Sequence, residues 1–314
     1  MTLDSFSNMD KSPLVSVIVV CYNAAEFIVE TLESVKAQTY KNIELIVSDD
    51  CSRDGTPDIA EKWLNDNKES FMRTELITVE KNTGVSANYN RAVRACKGEW
   101  IKNVDGDDLI SDNCIQANID FVNTHPVAQL VFSNAIIFSD QKGKRIEHGV
   151  CITNEKKSFF ELDAREQYKK LLFANILPSQ TCFVRSNILK SFPYNEIYKA
   201  LEDAPMWVTL TKNGHKAHYF DVITAYYRKS ESTTNNSEKF FSPWYVDSIM
   251  KYFWNEQSQY IKEEQLSDAY LNNRRFLFLI EVTEALLQNN RSWFKNWLFR
   301  VFRFVIFRFV KFSM

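Results

Sequence analysis

The chain has 314 residues, 45% of them hydrophobic and 25% charged, which is enough apolar sequence for one large or two small domains and excludes a disordered chain. Its net charge of −2 conceals an asymmetry, because no acidic residue follows Glu284 while basic ones are frequent there. Six cysteines (Cys21, Cys51, Cys96, Cys114, Cys151 and Cys182) form no C-x-x-C pair, which argues against a zinc site or a disulfide framework.

The polar opening MTLDSFSNMDKS lacks the basic-then-apolar layout of a secretory signal, so the protein is expected to stay in the cytosol. From Val15 to Tyr22 an unbroken β-branched apolar run predicts a strand covered on both faces. A helix over Ala25 to Gln38 and a second strand over Asn42 to Ser48 complete a βαβ unit. The alternation continues with a helix at Thr56 to Asn65, a strand at Leu76 to Val79, a helix at Val85 to Cys96 and a strand at Trp100 to Val104. Asn23, Asp49, Asp50 and Asp105 therefore fall at strand C-termini, along the sheet edge where open α/β folds bind ligands. Beyond about Ser133 the pattern is less regular, with a helix near Glu161 to Phe173. Glu202 and Asp203 then open an apolar helix closed by Gly214. Thr234-Asn235-Asn236-Ser237 reads as a polar linker before a helical remainder.

The chain has neither G-x-G-x-x-G nor G-x-x-x-x-G-K-[ST], and only seven glycines, so Rossmann-type dinucleotide binding and P-loop chemistry are unlikely on sequence grounds. The remaining way to hold nucleotide phosphates is a divalent cation on carboxylates. Asp105-Gly106-Asp107-Asp108 supplies hard oxygen ligands for Mg²⁺ or Mn²⁺ at a strand end. An ordinary Asp-Gly turn is an equal reading of this cluster taken alone. An EF-hand is excluded, since Ile110 and Gln116 stand where its glycine and glutamate belong.

Read together, the segments VSVIVVCYN (15–23), LESVKAQTYKNIELIVSDDCSRDGT (32–56), NTGVSANYNRAVRACKGEWIKNVDGDD (82–108), LEDAPMW (201–207) and YYRKSESTTN resemble family-2 glycosyltransferases over about residues 13–235. The resemblance implies a GT-A fold, a mostly parallel α/β sheet flanked by helices, and inverting transfer from a UDP-sugar. It implies a nucleotide-sugar half over 13–135, an acceptor half over 136–235, a helical extension over 236–290 and a tail over 291–314. Cys21, Tyr22, Asn23 and Asp50 would meet the donor, with Tyr22 on the uracil face and Asp50 accepting its N3–H. Asp49 either assists or caps the following turn. Asn88 and Asn90 would face the nucleotide. Tyr89 stands where many relatives carry arginine, leaving Arg91 as a candidate. Asp105 would contact ribose or share the metal, Asp107 would be its main ligand, and Asp108 would support them. Asp203 would be the general base and Arg228, with Lys229, would stabilise departing UDP. Ser230 stands where relatives often have histidine. Trp207 could stack on a sugar, although core packing is the stronger reading.

The stretch WFKNWLFRVFRFVIFRFVKF (293–312) is long enough to suggest a membrane span, but Arg300, Arg303 and Arg308 would each cost about 2.5–3.5 kcal/mol near the bilayer centre. On a helical wheel these arginines and Lys311 share one arc, with Trp297, Val301, Phe304 and Val305 largely elsewhere. The expectation is an interfacial helix on an anionic membrane, with burial against the body or pairing between subunits as rivals. No nucleic-acid motif accompanies the basic aromatic sequence. By resemblance, such enzymes act peripherally at the inner face of the bacterial membrane on lipid-linked glycans of O-antigen or capsule. A sugar-nucleotide nucleotidyltransferase would carry a glycine- and basic-rich N-terminal loop, which Cys21 to Ala25 is not. A non-catalytic scaffold would be expected to have lost an acid, and none is missing.

Overall fold

The computed structural model describes residues 12–141, 143–229 and 239–311. The polar opening, Ser230 and the 234–237 run lie outside these, so the expectations placed on them have no structural counterpart. The first half alternates as the sequence predicts: β1 (Val15–Cys21), α1 (Ile28–Lys36), β2 (Ile43–Asp49), α2 (Thr56–Asn67), β3 (Arg73–Ile77), α3 (Val85–Ala95) and β4 (Trp100–Asp105). β1 and β2 are buried along their whole length, as the apolar residues that dominate β1 require, and β2 takes Glu44, Ser48 and Asp49 into that burial with it.

The boundaries that shift do so for local reasons. α1 starts at Ile28 rather than Ala25, because residues 24–27 form a turn whose Ala24 N–H donates to Thr56 Oγ1 and whose Ala25 N–H donates to Asp54. β3 begins at Arg73, earlier than its apolar residues suggest, because Arg73 reaches back to Glu44 on β2 at 2.8 Å.

After β4 the chain runs through β5 (Leu109–Ile110), α4 (Cys114–Thr124), β6 (Leu130–Gln141), β7 (Lys144–Val150), α5 (Asn154–Lys157), α6 (Ala164–Leu171), β8 (Phe183–Arg185), α7 (Ser186–Ser191), α8 (Asp203–Lys212) and β9 (Ala217–Arg228). α6 is shorter than predicted, since Asp163 caps it by accepting the Glu166 N–H. Helices α9 (Pro243–Tyr252), α10 (Ser258–Glu263), α11 (Ser267–Leu287) and α12 (Trp293–Phe309) follow.

The strands make one mixed sheet in the order β3-β2-β1-β4-β8-β6-β9-β5, with β7 on β6. β1 to β4 are mutually parallel, while β8 runs against β4 and β6. The 135/136 division falls inside β6, so the two halves share this sheet. Alternate residues of β1 enter opposite cores: Val17 and Val19 pack on the face of α1 and α2, whereas Ile18 and Val20 pack with Tyr89 of α3 and Trp207 of α8.

Candidate active site

β1 lies between β2 and β4, so successive crossovers leave it in opposite directions and a crevice opens beyond its C-terminal end. A cleft of about 1190 Å³ occupies that place. Cys21, Tyr22, Asn23, Asp50, Asn88, Asp105, Asp107, Asp203 and Arg228 all line it, although they span about two thirds of the chain. Asp49, Asn90, Arg91, Asp108 and Trp207 do not.

At the end of β1, Tyr22 is 42% exposed and offers an open ring face. Asn23 takes a left-handed conformation (φ 51°), and its side chain accepts the Arg53 N–H, tying β1 to the loop after β2. Burial pushes the Cys21 thiol well above its usual range, so it stays protonated. Asp49 takes the turn-capping role, accepting the Ser52 N–H at 2.8 Å.

Asp50 differs from expectation in its surroundings. It is 2% exposed and accepts hydrogen bonds from the Thr83 hydroxyl and N–H, the Gly84 N–H and Arg91, the last at 2.7 Å. Four donors fill its lone-pair directions, so a base N3–H must share an oxygen with one of them. Arg91 is thus spent on Asp50. The reason lies in α3, where Arg91 sits one turn after Asn88 and on the same side. Asn88 is buried and bridges β1 and β2, its Nδ2 donating to the Cys21 and Ser48 carbonyls. Asn90 points to the other side, bonding the backbone of Tyr194 through both ends of its amide, which corrects the expectation that it faces a nucleotide.

The acidic turn after β4 is held from several directions. Tyr89 Oη donates to Asp105 at 2.6 Å, so the tyrosine in place of an arginine acts on the aspartate directly. Burial pushes Asp105 up to about 6, and neighbouring Asp107 adds to this, against the Tyr89 hydrogen bond. Asp108 is also pushed well up by burial and by Asp105 and Asp107, and its Oδ2 is buried without a partner. Behind the strand the buried Lys102 ammonium donates to the Asn103 and Gln180 carbonyls and offsets part of this negative field.

Arg228 was expected to meet the diphosphate. It is 3% exposed, its guanidinium paired with Glu30 at 2.5 Å and with Asp140, and flanked by the Phe27 and Phe138 rings. Its Nε donates to the Asp107 carbonyl at 2.7 Å and its backbone N–H to Asp108 at 2.8 Å. The arginine fastens the acidic turn, and its charge is already balanced. The backbone N–H of Lys229 donates to the Phe138 carbonyl, extending the β9 pairing.

Across the cleft, α8 begins at Asp203, so Glu202 and Asp203 stand at a helix N-terminus. Burial pushes both carboxyls up, Glu202 well up with Asp203 adding to it. Asp203 is bonded by the Ala204 N–H at 2.6 Å and by Asn175 Nδ2 at 2.7 Å. Asn175 and Lys199, which also lines the cleft, escaped sequence reasoning because neither belongs to a motif. Trp207 is fully buried edge-on to Phe132 at 5.1 Å, which leaves it no sugar to stack on.

Among the described residues, no cluster of three or more His, Cys, Asp or Glu side chains forms a ready metal cage. The donor chemistry at Asp105 and Asp107 nevertheless suits a hard divalent ion: two cleft-facing carboxylates whose mutual repulsion the Tyr89 hydrogen bond and Lys102 offset only in part at Asp105, beside an orphaned Asp108 oxygen.

α12 packs on α11, where Arg275 Nε donates to the Val310 carbonyl, with Ile306 buried and the Phe299 ring stacked on Phe240. Its other side exposes Trp293, Trp297, Val301, Phe304, Val305 and Phe309. Arg308, one turn beyond Phe304 and Val305, is exposed among them, so the basic and apolar arcs interleave instead of separating as the wheel suggested. No helix among the described residues is long and apolar enough to cross a membrane.

Residues 16–180 match the model of the glycosyl transferase family 2. The chain is 31% identical over 218 residues to the Escherichia coli UDP-Glc:alpha-D-GlcNAc-diphosphoundecaprenol beta-1,3-glucosyltransferase WfaP, covering 68% of this chain and 77% of that protein. It is 24% identical to the putative teichuronic acid biosynthesis glycosyltransferase TuaG of Bacillus subtilis, over 72% of this chain and 83% of the relative. Among solved structures, S. aureus TarS 1–349 in complex with UDP-GlcNAc superposes with a TM-score of 0.56 at 20% identity, covering 94% and 89% of the two chains. The mannosyltransferase PcManGT of Pyrobaculum calidifontis, in complex with GDP-Man and Mn²⁺, gives 0.57 at 17%, covering 93% and 80%. The fold is GT-A, as the sequence resemblance implied.

Proposed function

Since the chain belongs to glycosyl transferase family 2, we propose that it moves a hexose or N-acetylhexosamine from a UDP-sugar, with inversion, to a hydroxyl of a lipid-linked glycan in bacterial surface-polysaccharide synthesis. The observation that carries this reading is the convergence on one cleft of Asp105 and Asp107 from a strand end with Asp203 from a helix start. The glucosyltransferase activity of WfaP on a diphosphoundecaprenol-linked sugar and the teichuronic acid assignment of TuaG support the substrate class, and the UDP-GlcNAc complex of TarS supports the donor.

Tyr22 and Asp50 take the base, whose N3–H shares an Asp50 oxygen with Arg91. Cys21 and Asn23 shape the floor beneath it, and Asn88 holds the two strand ends in register. Asp107 and Asp105 would hold Mn²⁺ or Mg²⁺, which would supply positive charge for a departing diphosphate. Arg228 keeps the acidic turn in place, with its own charge shared by Glu30 and Asp140. Asp203 removes the acceptor hydroxyl proton as that oxygen bonds to the anomeric carbon and the bond to UDP breaks on the opposite face, so one displacement inverts configuration. Its raised pKa makes it a stronger base than an ordinary aspartate, while the Ala204 N–H and Asn175 fix its orientation.

The test is a screen of purified protein with Mn²⁺ against UDP-, GDP- and dTDP-sugars, reading nucleoside diphosphate release with lipid-linked acceptors present. Asp203→Asn is expected to lower transfer by about 10²–10⁴-fold while UDP still binds. Full activity in that variant, or a preference for GDP- or dTDP-sugars, overturns the reading.

We further propose that the exposed side of α12 lies on the inner face of the cell membrane. Aromatic residues there are interleaved with cations and no acid. The full chain should sediment with vesicles containing phosphatidylglycerol and remain in solution with neutral ones. Substituting Trp297 and Phe304 by glutamate should abolish sedimentation, and an unchanged result removes this assignment.

A further inference from the structure

Beyond Asp203 the lining of the cleft changes character. On the nucleotide side it is carboxylate, amide and backbone, whereas on the far side it becomes Phe241, Trp244, Tyr245, Ile249 and Phe276. This stretch begins beside the candidate base, because Tyr245 and Ile249 of α9 pack with Tyr198, Leu201 and Ala204 around the first turn of α8. It ends at the root of α12. There Phe241 stands edge-on to Phe276 of α11 at 6.1 Å and lies 6.0 Å from Phe299, while Phe240 stacks on Phe299 at 4.7 Å. Asn289 fixes Phe241, accepting its N–H at 2.9 Å and donating to its carbonyl at 2.7 Å.

A sugar bound here would need polar partners for its hydroxyls. The two amides on this wall, Gln257 and Asn273, each commit an N–H to the Leu172 carbonyl, and the rest of the far wall is mainly aromatic and aliphatic. An apolar chain needs no such partners and gains from every methylene withdrawn from water. The groove also leads toward the helix whose free side is aromatic and whose charged residues in the described range are all basic, as suits an anionic lipid surface.

We propose that the groove between α9 and α11 is a subsite for the hydrocarbon chain of an isoprenoid-type acceptor, holding the chain so that its hydroxylated head reaches Asp203. This deepens, and rests on, the lipid-linked reading above. A bilayer-docked α12 would place the outer end of the groove next to the lipid from which the acceptor is drawn.

The probe is farnesol, compared with its single-unit homologue prenol, titrated into the full chain with UDP and Mn²⁺ saturating, with binding followed by calorimetry. Farnesol is expected to bind at least about tenfold more tightly than prenol, in line with the apolar area each can bury. Ile249→Asp and Trp244→Ala should each weaken farnesol about tenfold and leave UDP affinity unchanged. Trp244 is 42% exposed, so its variant keeps the test sound if Ile249→Asp misfolds. Equal binding of the two alcohols, or insensitivity to both substitutions, overturns the subsite. So does a loss caused by Trp297→Glu on α12 and not by the groove variants. Absence of glycosyl transfer with every donor would instead sink the catalytic reading while leaving the farnesol result standing.

Discussion

Asp203 was legible because it sits in a recognisable Glu-Asp pair before an apolar helix, whereas Asn175, which bonds it at 2.7 Å, was not. Asn175 lies in the loop after α6, and only the packing of α6 on α8 brings it to the acid. A hydrogen bond to a charged group contributes about 1.5–3 kcal/mol, so Asn175→Ala should lower the transfer kcat roughly tenfold or more with the donor KM unchanged. The pH profile separates this from general damage. With Asp203 as the proposed base, transfer should fade as pH falls through its pKa, which burial raises and the Asn175 bond lowers. Losing that bond should move the acid limb to higher pH, and an unmoved limb would show that Asn175 does not act on the base. Arg228 illustrates the opposite limit. Its identity within YYRKSESTTN was readable, but Glu30 and Asp140, which neutralise it, are 198 and 88 residues away in sequence.

At the scale of elements, the strand and helix order through β4 followed from periodicity, and the boundaries moved where a side chain reached across, as Arg73 does to Glu44. The second half was less readable because β6, β8 and β9 pair with partners distant in the chain, so their burial depends on contacts that no local pattern encodes. Gly106 shows how closely the elements meet at the acidic turn. A Cβ there would lie 2.7 Å from Cys21 Cβ and 3.3 Å from Ala24 Cβ. Gly106→Ala must push the turn away from β1, at a cost of about 1–3 kcal/mol from overpacking. The expected result is a lower melting temperature together with weaker Mn²⁺-dependent UDP binding, measured by thermal shift and calorimetry. Unchanged values in both would mean that the turn yields freely.

The whole molecule carries two kinds of buried acid with opposite effects on stability. Burial alone would raise Glu44, but hydrogen bonds from Ser16, Lys97, Arg73 and Gly98 outweigh it and hold the carboxyl below its ordinary range. A depressed folded pKa gives stability that is present above the unfolded value and lost as pH falls through the folded one. Glu44→Gln should therefore cost about 3 kcal/mol at neutral pH, with the gap from the native chain narrowing below about pH 4.5 in urea melts. A gap independent of pH would assign the loss to packing. Asp105 is shifted the other way, so its ionisation at neutral pH works against folding, and a cation held there would relieve that cost. Mn²⁺ should raise the melting temperature, and Asp107→Ala should remove most of that rise. The Arg228 contacts bear on how the protein is made. The turn carrying Asp107 and Asp108 is fastened by a residue 121 and 120 positions later, on the strand that pairs with β6 and β5. A nascent chain that has released only β1 to β5 thus owns Asp105, Asp107 and Asp108 without the clip that orders their turn, and the ordered turn arrives with β9 rather than with the first half.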